Sequence, residues 1–192
     1  ANVYDPSKEI VTGRGNLSFT SINLPRIALK LMNVVDEKER IKKFYENLDY
    51  LIDLCANQLL ERFEIQQNKY VYNFPFLMGQ KIWLDSDKLH RDDKVSEVIK
   101  HGTLTIGFIG LAETLKALIG KHHGESEVAQ QLGLEIIGHM REKIDRYSKK
   151  YKLNFSLIAT PAEGLSGRFV KMDRELFGEI EGITCLLYTS DA

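Results

Sequence analysis

With 192 residues and 43% hydrophobic side chains, the chain is long enough to bury a core of ordinary size, as one globular domain or part of a larger one. Charged residues make up 28% but nearly cancel to a net charge of −1, so no basic field exists to gather nucleic acid or an anionic membrane surface. No apolar run approaches roughly 18 residues and no charged-then-apolar leader is present, which predicts a cytoplasmic protein without membrane spans.

Residues 1–11 lack an initiator Met and carry the turn signal Asp5-Pro6-Ser7, so the chain is expected to begin inside a loop of something longer. In Thr12-Gly13-Arg14-Gly15-Asn16 the glycines permit positive φ and close backbone approach. Residues 17–23 form a β-prone run, and Pro25 fits the first turn of a helix through Met32. Asn16 at the mouth of that strand is placed to meet a ligand, although the glycines equally fit a plain turn. Asp36 to Glu39 is a capping box, and Ile41, Phe44, Leu48, Leu51, Cys55, Leu59 and Phe63 recur at helical spacing behind it. Cys55 on this stripe reads as packing rather than as a nucleophile. Residues 71–83 are aromatic and broken by Pro75 and Gly79, an irregular segment that covers core or lines a pocket; residues 85–93 read as a loop.

Residues 101–110 read as a glycine-containing strand that hands over to a helix over 111–119. His101 opens that strand, either as a titrating site residue or as a structural histidine. Lys121-His122-His123-Gly124 reads as a loop; adjacent histidines with no further ligand in register predict no metal site. Val128, Leu132, Ile136, Met140, Ile144 and Tyr147 mark the apolar face of a second long helix. Residues 155–159 then read as a buried strand, with Thr160 at an N-cap, Pro161 at the first helical position and Glu163 completing a capping box. Such a helix start offers N–H groups to an anion, or simply closes its own cap. Strand, helix, helix, strand implies an α/β fold with locally parallel strands. Residues 12–26 and 154–168 are expected to form two walls of a nucleotide site. Cys55 and Cys185 form neither a disulfide framework nor a metal knuckle.

GRGNLSFTSINLPRIAL, HGTLTIGFIGLAE, GKHHGES and NFSLIATPAEGLSGRF, in that order and at these separations, resemble the anaerobic, oxygen-sensitive ribonucleoside-triphosphate reductases of the glycyl-radical class, up to about Thr184. The resemblance implies part of the second half of a ten-stranded glycyl-radical-enzyme α/β barrel, with residues 1–184 a fragment of that catalytic domain. It implies replacement of the ribose 2′-hydroxyl of a ribonucleoside triphosphate by hydrogen, an oxidoreductase reaction that supplies deoxyribonucleotides for DNA replication. In that class a glycyl radical, installed by a radical-SAM activating enzyme, generates a thiyl radical that takes the 3′-hydrogen before water leaves from C2′. The radical cysteine is expected just upstream of Ala1 and the radical glycine beyond the last residue, with Cys55 matching neither. This chain alone is therefore expected to be inactive. Structural zinc, the ATP and dNTP effector sites and the glycyl radical are all expected in the full-length protein, a homodimer, and none of them within these residues.

Two positions carry roles over from the resemblance. Asn16, beside Gly15, matches the GRGN asparagine that faces the ribose hydroxyls. Thr160, Ala162, Glu163, Gly164 and Leu165 match the turn that receives the substrate's phosphates through backbone N–H groups. Many relatives have serine in place of Gly164, so a hydroxyl donor is absent there while the backbone donors stay. Residues 185–192 depart from the family and look like a translated transposon-end adaptor, or else a short LLYT strand. Two alternatives to the reductase reading are another glycyl-radical enzyme of formate-lyase-like type and a non-enzymatic nucleotide-sensing or interaction module built on the long helices.

Overall fold

In the computed structural model, residues 3–4, 12–161 and 163–185 are described. The readings made for residues 5–11, for Ala162 and for the tail beyond Cys185 lie outside them, as does the side chain of Glu163. Strands β1 (Asn16–Asn23), β2 (Thr103–Ile109) and β3 (Asn154–Ala159) form one parallel sheet in the order β1-β2-β3. The helices are α1 (Leu24–Leu29), α2 (Glu37–Gln67), α3 (Pro75–Gly79), α4 (Ser96–Ile99), α5 (Leu111–Ile119), α6 (Glu127–Tyr151) and α7 (Glu163–Phe177). Parallel neighbours need long crossovers, and the helical segments between successive strands supply them. The α/β class with a parallel sheet matches the expectation; three strands are seen among the described residues. None of the described helices is long and apolar enough to cross a membrane.

The chain divides into two compact units, residues 1–20, 53–106 and 140–158, and residues 21–52, 107–139 and 159–192. In the first unit, Ala56, Leu59 and Phe63 of α2 are buried, as are Leu104 and Ile106 of β2 and Met140, Ile144 and Tyr147 of α6. Asp53 accepts hydrogen bonds from Lys143 Nζ (3.0 Å) and from the Tyr147 hydroxyl, tying α2 to α6. Asn154 is buried, and its side-chain N–H groups donate to the carbonyls of His101 (3.2 Å) and Gly102 (3.3 Å). Those bonds draw Asn154 into β3, one residue ahead of the predicted start.

In the second unit, Phe44, Leu48 and Ile52 of α2 are buried together with α1, Leu115 and Leu118 of α5, and Ala129 and Ile136 of α6. Gly110 (φ +82°) and Gly120 (φ +80°) flank α5, both in the left-handed region open to glycine. A Cβ on Gly110 would stand 2.3 Å from Pro25 Cγ, so the glycine also sets how closely α1 approaches α5.

Several predicted boundaries or registers shift, among them β2, which runs from Thr103 to Ile109 and leaves His101 in the turn before the strand instead of opening it. Helix α1 ends at Leu29 instead of Met32, because Leu31 and Val34 close three-residue turns onto Ala28 and Leu31 (2.9 Å each) and unwind the helix. The apolar stripe of α2 runs through Ile52 and Ala56, leaving Leu51 and Cys55 at its half-buried flank. Four-residue steps overshoot a turn of 3.6 residues by about 40°, so one three-residue step is needed to restore the stripe, and it falls between Ala56 and Leu59. On α6, Val128 is 73% exposed and Ala129 takes the buried place. Only Asn154 and Phe155 of β3 are buried, and Ile158 and Ala159 are exposed.

Replacing Gly110 by Ala should cost about 3 kcal/mol, from left-handed strain plus the Pro25 clash. Gly120→Ala, with open space around its Cβ, should cost only the conformational part, about 1 kcal/mol. Urea unfolding of both variants measures the difference.

Candidate functional site at the carboxyl ends of the strands

Open parallel sheets bind ligands beyond the carboxyl ends of their strands, and in the second unit that end is built from three small residues. Ser21 lies near the end of β1, Gly107 near the end of β2, and Thr160 directly follows β3. The Ser21 and Thr160 hydroxyls share a 2.8 Å hydrogen bond although β2 separates their strands. They meet because Gly107 has no side chain: a Cβ there would stand 2.0 Å from Thr160 Oγ1 and 2.7 Å from Ser21 Oγ. The Thr160 N–H donates to the Phe108 carbonyl (3.0 Å), extending the ladder one residue past β3.

Helix α7 begins at Glu163, two residues later than a Thr160 cap would require. Thr160 instead spends its N–H on the sheet and its hydroxyl on Ser21. The first turn of α7 is Glu163, Gly164 and Leu165, whose N–H groups have no acceptor within the helix and add to the positive end of its dipole. A Cβ on Gly164 would meet nothing within 4 Å, so packing does not impose glycine there and a serine would fit.

Gly15 and Asn16 belong to the first unit, at the amino end of β1. Gly13 adopts φ +68° and its carbonyl accepts from the Leu84 N–H (2.7 Å), as the turn reading expects. A Cβ on Gly15 would lie 3.2 Å from Trp83 Cζ2, so here the close approach is to an indole of the same unit. Asn16 is exposed and, with Leu17, Gln66, Phe74, Trp83 and Ile99, lines a cleft of about 150 Å³. The aromatic segment over 71–83 thus lines a cleft, one of the two roles read for it.

Two of the histidines have defined neighbours. His101 is buried, with Nε2 3.2 Å from Asp85 Oδ2 and its ring edge-on to Tyr4 at 5.6 Å. The Lys88 hydrogen bond, more than His101, holds the Asp85 carboxyl below the usual carboxylate range. In the loop after α5, His122 Nδ1 accepts from the Gly124 N–H (3.0 Å) and the His122 N–H donates to Glu125 (2.9 Å). Burial pushes the Cys55 thiol up, with a hydrogen bond to Thr20 opposing it. Sequence reasoning missed Ser21 and Gly107, although Ser21 lies inside the SINLPR stretch and Gly107 inside TIGFIG, whose glycines are the signal that a side chain is kept out.

Comparison with known proteins gives a consistent assignment. The family described as anaerobic ribonucleoside-triphosphate reductase matches residues 2–192. The reductase of that name from Haemophilus influenzae is 35% identical over 179 residues, covering 92% of this chain and 24% of the relative. The enterobacteria phage T4 reductase is 31% identical over 178 residues, covering 92% of this chain and 27% of the relative. This chain thus spans about a quarter of the length of the curated relatives it matches. A solved anaerobic ribonucleotide reductase superposes with a TM-score of 0.67 at 20% identity, over 86% of this chain and 24% of that one. The Thermotoga maritima enzyme in complex with dATP and CTP gives 0.59 at 22% identity, over 87% of this chain and 25% of its own. At these identities the structures speak for the fold alone.

Gly107→Ala should destabilise the protein by about 1–3 kcal/mol, because the added methyl displaces both hydroxyls. Ser21→Ala combined with Thr160→Ala removes both partners together and should cost under about 1 kcal/mol. Chemical denaturation of the two variants tests the ordering. Since burial raises the Cys55 pKa, less thiolate is present at a given pH, and alkylation of Cys55 by iodoacetamide at about pH 8 should run slower than that of a small free thiol near its ordinary pKa.

Proposed function

The chain belongs to the anaerobic ribonucleoside-triphosphate reductase family, and from that premise we propose that it is the phosphate-receiving part of an enzyme that reduces ribonucleoside triphosphates to 2′-deoxyribonucleoside triphosphates. What carries the reading is similarity to reductases across 92% of the chain. The formate-lyase-like and non-enzymatic alternatives are not favoured, because the relatives reported above are all reductases.

Within this reading the substrate's phosphates are received by the backbone N–H groups of Glu163, Gly164 and Leu165 at the start of α7, with Ala162 included on the family resemblance alone. An anion there is favoured by the unsatisfied donors and the helix dipole together. Thr160 contributes its hydroxyl, held in place by Ser21, while its N–H serves the sheet. Asn16, at the amino end of β1 in the first unit, is assigned to the ribose hydroxyls on the family resemblance alone, where an amide both donates and accepts, with Gly15 beside it.

The full-length reductase is proposed to be a cytoplasmic homodimer. Its ten-stranded barrel would take the three strands described here, with residues 1–184 belonging to the catalytic domain and 185–192 an adaptor-derived tail. The glycyl radical, installed by a radical-SAM activating enzyme, supplies the hydrogen-abstracting chemistry when present. Among the described residues no donor set suits the zinc, and the resemblance puts the radical glycine beyond the last residue of this chain. Cys55 lies half-buried on α2 with its thiol pushed up, and no group of three or more His, Cys, Asp or Glu side chains among the described residues suits a metal. As the resemblance implies, radical, zinc and the ATP and dNTP effector sites are assigned to the parent protein outside these residues, and this chain's part is binding.

The radical-free full-length protein tests this by equilibrium binding of CTP, a nucleotide chosen from the Thermotoga maritima complex. Thr160→Ala and Asn16→Ala should each weaken binding by about 3- to 10-fold, the equivalent of one hydrogen bond. Unchanged affinity in both variants would contradict the site assignment.

A further inference from the structure

Asp173 lies three turns into α7 and is only 3% exposed. It accepts a hydrogen bond from the Asn23 side-chain N–H (2.8 Å) and forms an ion pair with Arg26 Nε. Asn23 in turn caps α1, its Oδ1 accepting from the Arg26 N–H (3.3 Å). Two residues before Asn23, Ser21 holds the hydroxyl of Thr160, where the chain leaves β3 for α7. One short stretch, Ser21 to Arg26, therefore grips the β3–α7 segment at both ends, at Thr160 before the helix and at Asp173 within it. A continuous helix transmits that second anchor to its first turn, about 15 Å away at 1.5 Å per residue.

We propose that Asp173 is a positioning residue: through Asn23 and Arg26 it fixes where the first turn of α7 stands, and so sets the affinity for the triphosphate of the substrate without touching it. This rests on the phosphate-receiving role given to that turn above. The geometry suits the task because a carboxylate removed from water is tolerated only in a narrow arrangement of charged and polar partners, which resists displacement more than an apolar contact would. The neighbouring Arg174 faces other partners, its Nε and Nη2 both donating to the Thr184 carbonyl (3.2 and 3.1 Å) beyond the end of α7, so Asp173 holds the link to Asn23 and Arg26.

The test measures binding of CTP and of unphosphorylated cytidine to the radical-free full-length protein and its Asp173→Asn variant. Asp173→Asn should raise the CTP Kd about tenfold and leave the cytidine Kd within about twofold. Equal weakening of both ligands, or of neither, would overturn the proposal, since a merely structural role has no reason to single out the phosphates. If Asp173→Asn fails to fold, as judged by its thermal melt, Arg26→Gln replaces it; that variant leaves Asp173 its Asn23 partner and should show the same selectivity at about threefold. Glu163→Pro keeps helical geometry at the first helical position but removes one N–H donor, and separates the two levels of the reading. If Glu163→Pro weakens CTP while Asp173→Asn does not, the positioning role falls and the phosphate turn stands. If Glu163→Pro leaves CTP binding unchanged, the phosphate turn itself falls, and the role of Asp173 with it.

Discussion

A Cβ on Gly107 would occupy the space in which the Ser21 and Thr160 hydroxyls meet, so contact between the outer strands across β2 depends on one missing side chain. Parallel pairing creates the opportunity. Strands that run in one direction end at one edge, and crossover helices must leave from that edge, so the residues around each strand end are brought together however far apart they are in sequence. At such an edge β1 and the exit of β3 are joined by hydroxyls and α7 departs from the join. The position of the first turn of α7 follows from that join.

The second constraint on α7 is electrostatic. Burying the Asp173 carboxylate costs several kcal/mol in the absence of partners, a penalty that Arg26 and Asn23 offset by charge and by hydrogen bonding. Such a group adds little net stability, but it defines one arrangement sharply, because every displaced alternative leaves a charge unpaired. The SINLPR stretch therefore has work to do beyond forming a strand end and a helix start: Ser21, Asn23 and Arg26 each reach a residue of the β3–α7 segment.

Local signals were legible in the sequence where a residue acts on its near neighbours. Asp36 accepts from the Glu39 N–H (2.7 Å), the N-cap half of the predicted capping box, and α5 runs over the predicted residues between two glycines of positive φ. The α/β class followed from the order of such elements, and the family from four motifs in series. Illegible were contacts set by tertiary structure. Ser21 and Thr160 are 139 residues apart, Arg26 and Asp173 147 apart, and neither a hydroxyl nor a buried carboxylate leaves a periodic trace. The start of α7 was misplaced for the same reason, since Thr160 resembles a cap until the sheet claims its N–H and Ser21 claims its hydroxyl. The stripes of α2 and α6 slipped by one residue at Leu51, Cys55 and Val128, where Ile52, Ala56 and Ala129 offered apolar choices of nearly equal merit.

The most direct test of the account is a crystal structure of the radical-free full-length reductase with CTP. Phosphate oxygens within about 3 Å of the backbone nitrogens of Glu163, Gly164 and Leu165, the distance of an N–H···O hydrogen bond, are what the account predicts. A triphosphate bound elsewhere, with the first turn of α7 bare, would contradict it.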